Sequence, residues 1–440
     1  MRVMLVGGGG REHALAWALA RSPDCSELYC APGNAGTAAL GVNLPMKASD
    51  ISAIRSACIS HRIDLVVVGP ENPLAAGLVD ALQAHDIRVF GPTQTAAELE
   101  ASKWFAKSIM RQAGVPHAEG QAFQDAAAAH AYLSQPAADS PRSVTIRPPA
   151  AAATAAALPP VIKADGLAAG KGVIVPATFD EAHTAVDDLL GGRFGAASAT
   201  IVIEEQLCGL EASAMAFVDG RTVAPMPLSC DYKRALDGDH GPNTGGMGVY
   251  SPPGFVSSDV ADAVVSTIHQ PVVDAMAEAG RPFAGILYAG LMVSDDATNV
   301  LEFNCRFGDP ETQVVLPQLR TDLLQILNAC VDGRLGQQPI EWSGGAAIGV
   351  VLASGGYPGD YQTGFPISGL DDVDGDIHVF HAGTALDDTG QTVTAGGRVL
   401  TVVAQAPTLT QARQQAYDNA ARIHFQGCTY RTDIALRELQ

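Results

Sequence analysis

The chain has 440 residues, a length that predicts two to four domains rather than one core. Its formal net charge of −20 argues against nucleic-acid binding, because a phosphate backbone requires a basic surface. The eight cysteines are scattered without a C-x-x-C pair, no apolar run is long enough to cross a membrane, and the N-terminus does not resemble a signal peptide. We therefore expect a cytoplasmic α/β protein that contacts neither nucleic acid nor membrane.

The first predicted unit, residues 1–102, opens with a strand over residues 2–6, then a turn of four glycines and a helix. This order is typical of a doubly wound domain with a parallel sheet, where a phosphate binds at the helix N-terminus. Glu12 stands where a dinucleotide-binding turn has its third glycine, so NAD binding is not expected. Arg11 either binds a smaller phosphate or pairs with Glu12 and packs the helix.

Two further glycine-bearing loops, residues 31–37 and 69–73, follow predicted strands at residues 28–30 and 64–68. Since loops at the carboxyl ends of parallel strands gather around one crevice, we expect the three loops to form a substrate cup. The alternative is that they are only tight turns between strand and helix.

The second predicted unit begins with Lys103 and Lys107, which are spaced for one face of a helix. A solvent-exposed face is the default interpretation of that spacing. A stretch at about 137–159 is rich in Ala, Pro and Ser and has few large apolar side chains. We interpret it as a flexible surface insertion with no role in function.

A predicted hairpin follows, because β-branched runs at 161–162 and 173–175 flank a loop of small residues. The glycines allow backbone N–H groups to approach phosphates, and Lys163 and Lys171 lie at either side of the loop. It is not a P-loop, because Gly172 follows Lys171 where Ser or Thr is required. Taken alone, the pattern also fits an ordinary connection.

A helix is predicted from Thr178, as its N-cap, to Leu190, and a strand over 200–205 then ends in Glu204 and Glu205. These carboxylates are placed to accept hydrogen bonds from an adenine amino group and ribose hydroxyls, with Leu207 packed on the base. The alternative is a solvated acidic pair. Residues 229–250 are predicted to form a long polar loop whose Lys233 and Arg234 suit anionic substrate groups.

The segment 300–312 carries the strongest chemical signal. On a strand, Glu302, Asn304 and Arg306 share one face, and Leu301, Phe303 and Cys305 face the core. Two oxygen ligands beside a fixed cation suit Mg²⁺ bound to a polyphosphate and the charge that develops on a transferring phosphoryl group. The neighbouring predicted strand, 287–292, offers no second acidic ligand, so one and two metal ions both remain open.

Six motifs together resemble the phosphoribosylamine–glycine ligase (glycinamide ribonucleotide synthetase) family of ATP-grasp enzymes. They lie at residues 9–15, 31–37, 68–71, 162–173, 241–248 and 302–312. The resemblance implies an α/β (α+β) fold with an N-terminal doubly wound parallel-sheet domain (1–102) and a central two-part ATP-grasp module (103–330). The lid of that module would span about 121–205, and a small C-terminal α/β domain (331–440) would follow.

The resemblance also implies the reaction. ATP, glycine and 5-phosphoribosylamine would give glycinamide ribonucleotide, ADP and phosphate through a glycyl phosphate, with Mg²⁺ or Mn²⁺, as a step of purine synthesis. We expect a monomer with transient contacts to neighbouring enzymes of the pathway, and no fused later activities, because the chain ends where the ligase would end.

By the same resemblance, the site residues are assigned one by one. The catalytic residues are Arg306 and Lys233, the metal ligands are Glu302 and Asn304, the nucleotide-binding residues are Lys103, Lys163, Gly166, Gly170, Lys171, Gly172, Glu204, Glu205, Leu207 and Glu211, and the substrate-binding residues are Gly9, Gly10, Arg11, Asn34, Gly36, Thr37, Glu71, Asp231, Arg234, Asn243, Gly245, Gly246, Asp309, Glu311 and Thr312.

Two positions depart from the family pattern, and three alternative functions are disfavoured by particular residues. Gly8 stands where the family usually has Asn, and Leu210 replaces a frequent Glu. Another carboxylate-activating ATP-grasp enzyme is disfavoured by the cup loops, and a dinucleotide dehydrogenase by Glu12. A nucleotide-binding protein without catalysis is disfavoured by Arg306.

Overall fold

The computed structural model describes residues 1–135, 158–168, 171–295 and 297–439. The predicted insertion therefore lies almost wholly outside the described residues. Within the described part of the chain, no helix is both long and apolar enough to span a membrane.

The first body is a five-stranded parallel sheet of order β3-β2-β1-β4-β5. The chain builds outward from β1 in one direction and then in the other, which is the predicted doubly wound arrangement. Its elements are β1 (Arg2–Gly7), α1 (Gly10–Ala20), β2 (Glu27–Pro32), β3 (Val42–Asn43), α2 (Ile51–His61), β4 (Leu65–Val68), α3 (Glu71–Ala75), α4 (Leu78–Gln83), β5 (Val89–Phe90) and α5 (Gln94–Ala101).

The segment predicted to form the lid, and called the lid below, contains a four-stranded antiparallel sheet of order β6-β9-β7-β8 with two helices. Its elements are β6 (Gly120–Phe123), α7 (Ala126–Leu133), β7 (Val161–Ala164), β8 (Val173–Ile174), α8 (Phe179–Leu190) and β9 (Ile201–Glu204), preceded by α6 (Lys103–Ala113). The predicted hairpin is confirmed as β7 and β8. The predicted helix is also confirmed, because the Thr178 side chain accepts a hydrogen bond from the Glu181 backbone N–H.

A second antiparallel sheet, of order β11-β10-β16-β17, lies beneath the lid. Its elements, with the helices that follow them, are β10 (Leu210–Asp219), β11 (Val223–Pro225), α9 (Ser258–Val264), α10 (Gln270–Glu278), β16 (Ala284–Val293), β17 (Thr298–Asn304), α11 (Glu311–Val315) and α12 (Leu323–Val331).

The third body is a five-stranded sheet of order β12-β15-β18-β22-β19 with helix α13. Its elements are β12 (Cys230–Asp231), β13 (Arg234–Leu236), β14 (His240–Asn243), β15 (Gly248–Ser251), β18 (Ala346–Ala353), β19 (His378–His381), β20 (Thr384–Leu386), β21 (Thr392–Thr394), β22 (Arg398–Ala406) and α13 (Leu409–Ala420). The pairs β13-β14 and β20-β21 form separate two-stranded sheets.

The structure corrects the prediction for residues 229–250. That segment is not a structureless loop, because it contains four short strands, two of which belong to the third sheet. The predicted boundary at residue 331 stays a prediction, and the sheet that follows it takes β12 and β15 from before it. One apolar cluster joins the bodies: it contains Leu5 of the first sheet, Phe217 of β10, Phe307 after β17 and Phe380 of β19.

Candidate active site

Two adjoining cavities of about 340 and 490 Å³ open between the lid, the β10-β16-β17 strands and the loops of the first body. Lys163, Glu204, Asp231, Lys233 and Glu302 line both cavities, so the two form one continuous cleft.

Most of the predicted site residues meet in this cleft. Those that line it are Arg11, Glu71, Lys103, Lys163, Gly172, Glu204, Glu205, Leu207, Glu211, Asp231, Lys233, Arg234, Asn243, Gly245, Glu302, Asn304, Arg306, Asp309 and Glu311. Those that line neither cavity are Gly9, Gly10, Asn34, Gly36, Thr37, Gly166, Lys171, Gly246 and Thr312. Gly170 lies outside the described residues.

Glu204 is the centre of a buried ion cluster at the end of β9. Its Oε2 lies 2.6 Å from Nζ of Lys107, and its Oε1 contacts Nζ of Lys163, which also donates to the Leu301 carbonyl at 3.2 Å. Burial alone would raise the pKa of Glu204, but the Lys163 and Lys107 ammonium groups outweigh it and lower the pKa. The cluster thus holds an ionised carboxylate between two cations.

This geometry changes two predictions made from the sequence. Lys107 does not lie on a solvent-exposed face, since its side chain is only 3% exposed. The carboxylate of Glu204 is engaged by lysines, and Oε1 of Glu205 accepts a hydrogen bond from the Glu119 N–H at 3.0 Å. The Glu204 carboxylate is therefore not free to bind adenine, whereas Glu205, which lines the larger cavity, stays a predicted nucleotide-binding residue.

The larger cavity has an apolar wall that suits a planar base. Val161, Val173 and Leu207 line it from the lid side, and Met292 and Leu301 from the sheet below. At the hinge, Oε1 of Gln206 is buried and has no hydrogen-bond partner among the described residues.

The smaller cavity lies under the glycine hairpin. Gly172 and Val173 line it, Lys171 is exposed at the loop, and Nζ of Lys103 donates to the Gly166 carbonyl at 3.4 Å. Burial lowers the pKa of Lys103, against the opposing effect of the Glu302 carboxylate.

The polar face of β17 carries Glu302 and Asn304 of the predicted trio, and Arg306 lies two residues past the end of the strand. Nη2 of Arg306 donates to Oδ1 of Asn304 at 3.0 Å, and no hydrogen bond or ion pair within the described residues engages the Glu302 carboxylate. A bulge opposite Gly290 and Leu291 leaves Leu301 unpaired, so Leu301 lines the cleft instead of facing the core as predicted. Phe303 and Cys305 do face the core.

Glu302 and Asn304 fit a hard divalent cation. Both side chains offer oxygen ligands on one strand, and both line the smaller cavity. Within the described residues, no protein group forms a hydrogen bond or an ion pair with the Glu302 carboxylate. The described residues contain no cluster of three His, Cys, Asp or Glu side chains suited to a metal. Any cation held here would therefore take its other ligands from a bound polyphosphate and water.

Arg306 is held by two carboxylates. Its Nε lies 3.3 Å from Oε2 of Glu71, and its Nη2 lies 3.3 Å from Oε1 of Glu100. The other oxygen of Glu100, Oε2, accepts the Cys305 N–H at 2.7 Å. Burial alone would lower the pKa of Arg306, but Glu100 and Glu71 raise it. Glu100 was not predicted from the sequence, because it belongs to none of the recognised motifs and lies on α5, about 200 residues before its partner Arg306.

A second ion cluster lies where the two cavities join. The Lys233 ammonium contacts Glu211 and lies 3.7 Å from Oδ1 of Asp231. Burial raises the pKa of Asp231 to about 7, against the opposing effect of Lys233. Nearby, the hydroxyl of Tyr288, another residue missed from sequence, donates to Oε1 of Glu311 at 2.7 Å.

The polar side chains at the first-body loops are largely hydrogen-bonded to other groups of the protein. Nε of Arg11 donates to Glu12 at 2.6 Å, and its Nη1 donates to the Phe307 carbonyl at 3.0 Å. Oδ1 of Asn34 accepts the backbone N–H groups of Gly36 and Thr37 at 2.9 and 3.0 Å. These contacts favour the interpretation in which Arg11 packs the first helix, although its side chain also lines the cleft.

Arg398, at the start of β22, was also missed. It donates to the Gly245 carbonyl at 2.6 Å and the Asp309 carbonyl at 2.9 Å, and its Nη2 lies 3.2 Å from Oδ2 of Asp309. Burial alone would raise the pKa of Asp309, but Arg398 lowers it. Only spatial contact, and no sequence motif, connects this arginine of the third body with the cleft.

Three further residues predicted to bind substrate make contacts within the protein: Arg234, Thr312 and Gly246. Arg234 donates from Nη1 to the Gly241 carbonyl at 2.9 Å, on the same hairpin as Asn243. Thr312 is fully buried and donates to the Gly308 carbonyl at 2.6 Å. A Cβ on Gly246 would lie 2.5 Å from Cδ of Pro310, so this glycine allows close packing of two loops.

Family models match three parts of the chain. They are the "Phosphoribosylglycinamide synthetase, N domain" at residues 1–100, its "ATP-grasp (A) domain" at 101–312 and its "C domain" at 347–437.

Full-length relatives agree. The chain is 47% identical over 444 residues to a phosphoribosylamine–glycine ligase of Yersinia pestis, covering 100% of this chain and 99% of the relative. It is 48% identical over 443 residues to the trifunctional purine biosynthetic protein adenosine-3 of Gallus gallus, of which it spans 42%.

Solved structures extend the comparison. A phosphoribosylamine–glycine ligase of Thermotoga maritima has a TM-score of 0.82 at 33% identity, covering 98% of this chain and 100% of that one. The biotin carboxylase of Campylobacter jejuni has a TM-score of 0.71 at 15% identity, covering 99% and 98%. At that identity the second likeness concerns the fold alone.

Proposed function

Because the chain belongs to the phosphoribosylglycinamide synthetase family, we propose that its cleft joins glycine to 5-phosphoribosylamine, with conversion of ATP to ADP and phosphate. The protein is an ATP-dependent ligase of purine biosynthesis with the ATP-grasp fold. The observation that carries the proposal for this cleft is the meeting of the glycine hairpin, the lysine cluster and the polar face of β17. We further expect a cytoplasmic monomer, with transient contacts to neighbouring enzymes of the pathway.

The nucleotide would occupy both cavities. The base would lie between Leu207 and Met292 in the apolar part, and the phosphates would lie under the hairpin near Lys103 and Lys163. Buried ammonium groups attract phosphate strongly, because little water screens them. The proposal assigns Glu204 to holding Lys163 and Lys107 rather than to contacting the nucleotide.

Glu302 and Asn304 would hold Mg²⁺ or Mn²⁺. A divalent cation there would neutralise phosphate charge and favour transfer of the terminal phosphoryl group. The assignment is supported by the Glu302 carboxylate, which no hydrogen bond or ion pair engages within the described residues, beside the Asn304 amide on the same strand.

Glycine is a poor acceptor for an amine until its carboxylate is activated. In the proposed first step a glycine carboxylate oxygen attacks the terminal phosphorus, the bond to ADP breaks, and glycyl phosphate forms. In the second, the amine attacks the carbonyl carbon, the carbon–oxygen bond to phosphate breaks, and the amine loses a proton. Arg306 and Lys233 would stabilise the charge that moves in these steps, since both are cations that line the cleft and are held by carboxylates.

The amine substrate would bind at the first-body loops. Because the Asn34 and Thr37 side chains are engaged by other groups of the protein, the substrate phosphate would be bound mainly by backbone N–H groups at the start of α1 and by Arg11. Arg306 and Glu71 would form the boundary with the phosphoryl-transfer site.

The test is a coupled assay of ADP release with ATP, glycine and phosphoribosylamine generated in place. ADP release should require both glycine and the amine for steady turnover, and mass spectrometry should identify glycinamide ribonucleotide. Arg306→Lys should lower kcat, because the amine head group cannot hold two carboxylates as the guanidinium does. Arg320→Lys, at an exposed position, is the matched control. Turnover that is indifferent to the amine would contradict the proposal.

A further inference from the structure

One residue of the third body is held by the first helix and by a loop of the first body. The N–H of His381, the last residue of β19, donates to Nδ1 of His13 at 2.7 Å. Its carbonyl accepts a hydrogen bond from Nδ2 of Asn34 at 2.8 Å. Both polar groups of this residue's backbone are thus bonded across the boundary between the bodies.

His13 lies in the first turn of α1 and is buried between the two loops and β19. Its ring packs edge-on against Phe380 at 5.7 Å and against the His381 ring at 5.3 Å, centroid to centroid. A Cβ on Gly36 would lie 2.2 Å from Cε1 of His13, so the loop backbone rests directly on the imidazole. The ring therefore sets the distance between the Gly36 loop and α1.

Asn34 connects the same groups from the other side. Its Nδ2 donates to the Gly8 carbonyl at 3.0 Å as well as to His381, and its Oδ1 accepts the Gly36 N–H. His13, His381 and Asn34 consequently form a chain of hydrogen bonds from α1, through the third body, to both glycine loops. These are the loops whose backbone N–H groups would bind the substrate phosphate.

We propose that His13 is a positioning residue for the amine substrate: by accepting the His381 N–H it fixes both glycine loops against the third body and sets the affinity for 5-phosphoribosylamine. The inference rests on the proposed function. A site made of backbone N–H groups has no flexible side chains to compensate for movement, so small shifts of the loops weaken binding. Burial, together with His381, lowers the pKa of His13 to about 3, which keeps the ring neutral and able to accept at Nδ1.

Three variants test the proposal in the full chain. His13→Leu removes the acceptor and leaves a buried N–H unpaired, so the KM for phosphoribosylamine should rise about tenfold or more. The KM values for ATP and glycine should stay within about twofold, because within the described residues His13 makes no hydrogen bond or ring contact with the lid or with β17. His13→Asn offers Oδ1 near the position of Nδ1, so it should recover most of the amine affinity.

His378→Leu is the matched control. His378 packs against Trp17 at 4.8 Å in the same interface, and within the described residues its side chain makes no hydrogen bond to either loop. This variant should lower Tm without changing the amine KM. Hydrogen exchange provides a readout independent of activity: the His381 amide should exchange faster in His13→Leu than in His378→Leu.

The results separate the alternatives. If His13→Leu and His378→Leu lower Tm equally and neither changes the amine KM, His13 only packs the interface and the proposal is overturned. The same holds if His13→Leu raises all three KM values together. If His13→Leu does not fold, His13→Met replaces it, with a comparable volume and no strong acceptor. A wild-type chain that releases no ADP with glycine and the amine would instead contradict the proposed function, and the exchange measurement would still report on the His381 bond.

Discussion

Glu302 is the residue on which the metal assignment depends most. Glu302→Gln keeps the shape of the side chain and removes its charge, so it should weaken binding of the divalent cation and lower kcat by roughly 100-fold or more. The loss should be greatest at limiting Mg²⁺ and partly relieved at high Mg²⁺. Steady-state rates across a Mg²⁺ series measure it.

The control for this prediction is Glu341→Gln, which removes the charge of an exposed glutamate outside the cleft. It should leave the Mg²⁺ dependence unchanged. If Glu302→Gln has the same Mg²⁺ dependence as the wild type, the cation binds elsewhere.

At the scale of elements, the Glu204 cluster joins α6 to the lid. Lys107 comes from α6, Lys163 from β7 and Glu204 from β9, and all three side chains are at most 6% exposed. Removing one partner from a buried ion pair leaves an uncompensated charge, which costs about 3–5 kcal/mol. Glu204→Gln should therefore reduce the free energy of unfolding by that order, as measured by urea denaturation.

A surface ion pair provides the comparison. Glu119 pairs with Arg111 at 3.1 Å, but its side chain is 49% exposed. Glu119→Gln should change the free energy of unfolding by less than about 1 kcal/mol, because water screens exposed pairs. Equal losses in the two variants would mean that the buried cluster contributes no more than an exposed one.

The elements predicted correctly are those with local signals. The strand, glycine turn and helix at the N-terminus, the β7-β8 hairpin and the Thr178 cap are each specified by adjacent residues. The strands within 229–251 were missed because β15 pairs with β18, about 100 residues later, and a short strand carries little signal of its own.

The site residues show the same difference between local signals, which were predicted correctly, and contacts with distant strands, which were not. The alternation on β17 correctly placed Glu302, Asn304 and Arg306 together, since period two is a local property. It failed at Leu301, because a bulge depends on the partner strand. The burial of Lys107 could not be predicted either, since its partner Glu204 lies on a distant strand.

At the scale of the whole molecule, buried histidines make stability depend on pH. Burial lowers the pKa of His13 from 6.5 to about 3, and those of His269 and His381 from 6.5 to about 4. Below pH 6.5 the unfolded chain therefore binds protons that the folded chain does not, so stability falls as pH falls from 6.5 towards 4. Asp231 acts in the opposite direction, because its pKa is raised to about 7, and offsets part of this loss.

Thermal unfolding between pH 7.5 and 5 should show a falling Tm. His269→Gln should make that fall less steep, because one proton-linked group is removed, while His240→Gln, at an exposed position, should leave the slope as it is. A slope for His269→Gln equal to that of the wild type would mean that His269 is solvated in the folded chain.

The interleaved third sheet has a consequence for synthesis on the ribosome. Strands β12 and β15 leave the ribosome well before β18, the eventual neighbour of β15. At a typical rate of roughly 5–20 residues per second, the roughly 100 residues between Ser251 and Ala353 take on the order of ten seconds. During that interval β15, all of whose side chains are buried in the finished protein, lacks its partner strand. The nascent chain therefore passes through a stage in which its first body can be complete while an apolar strand edge is still open, and that stage is where a chaperone would have most to protect.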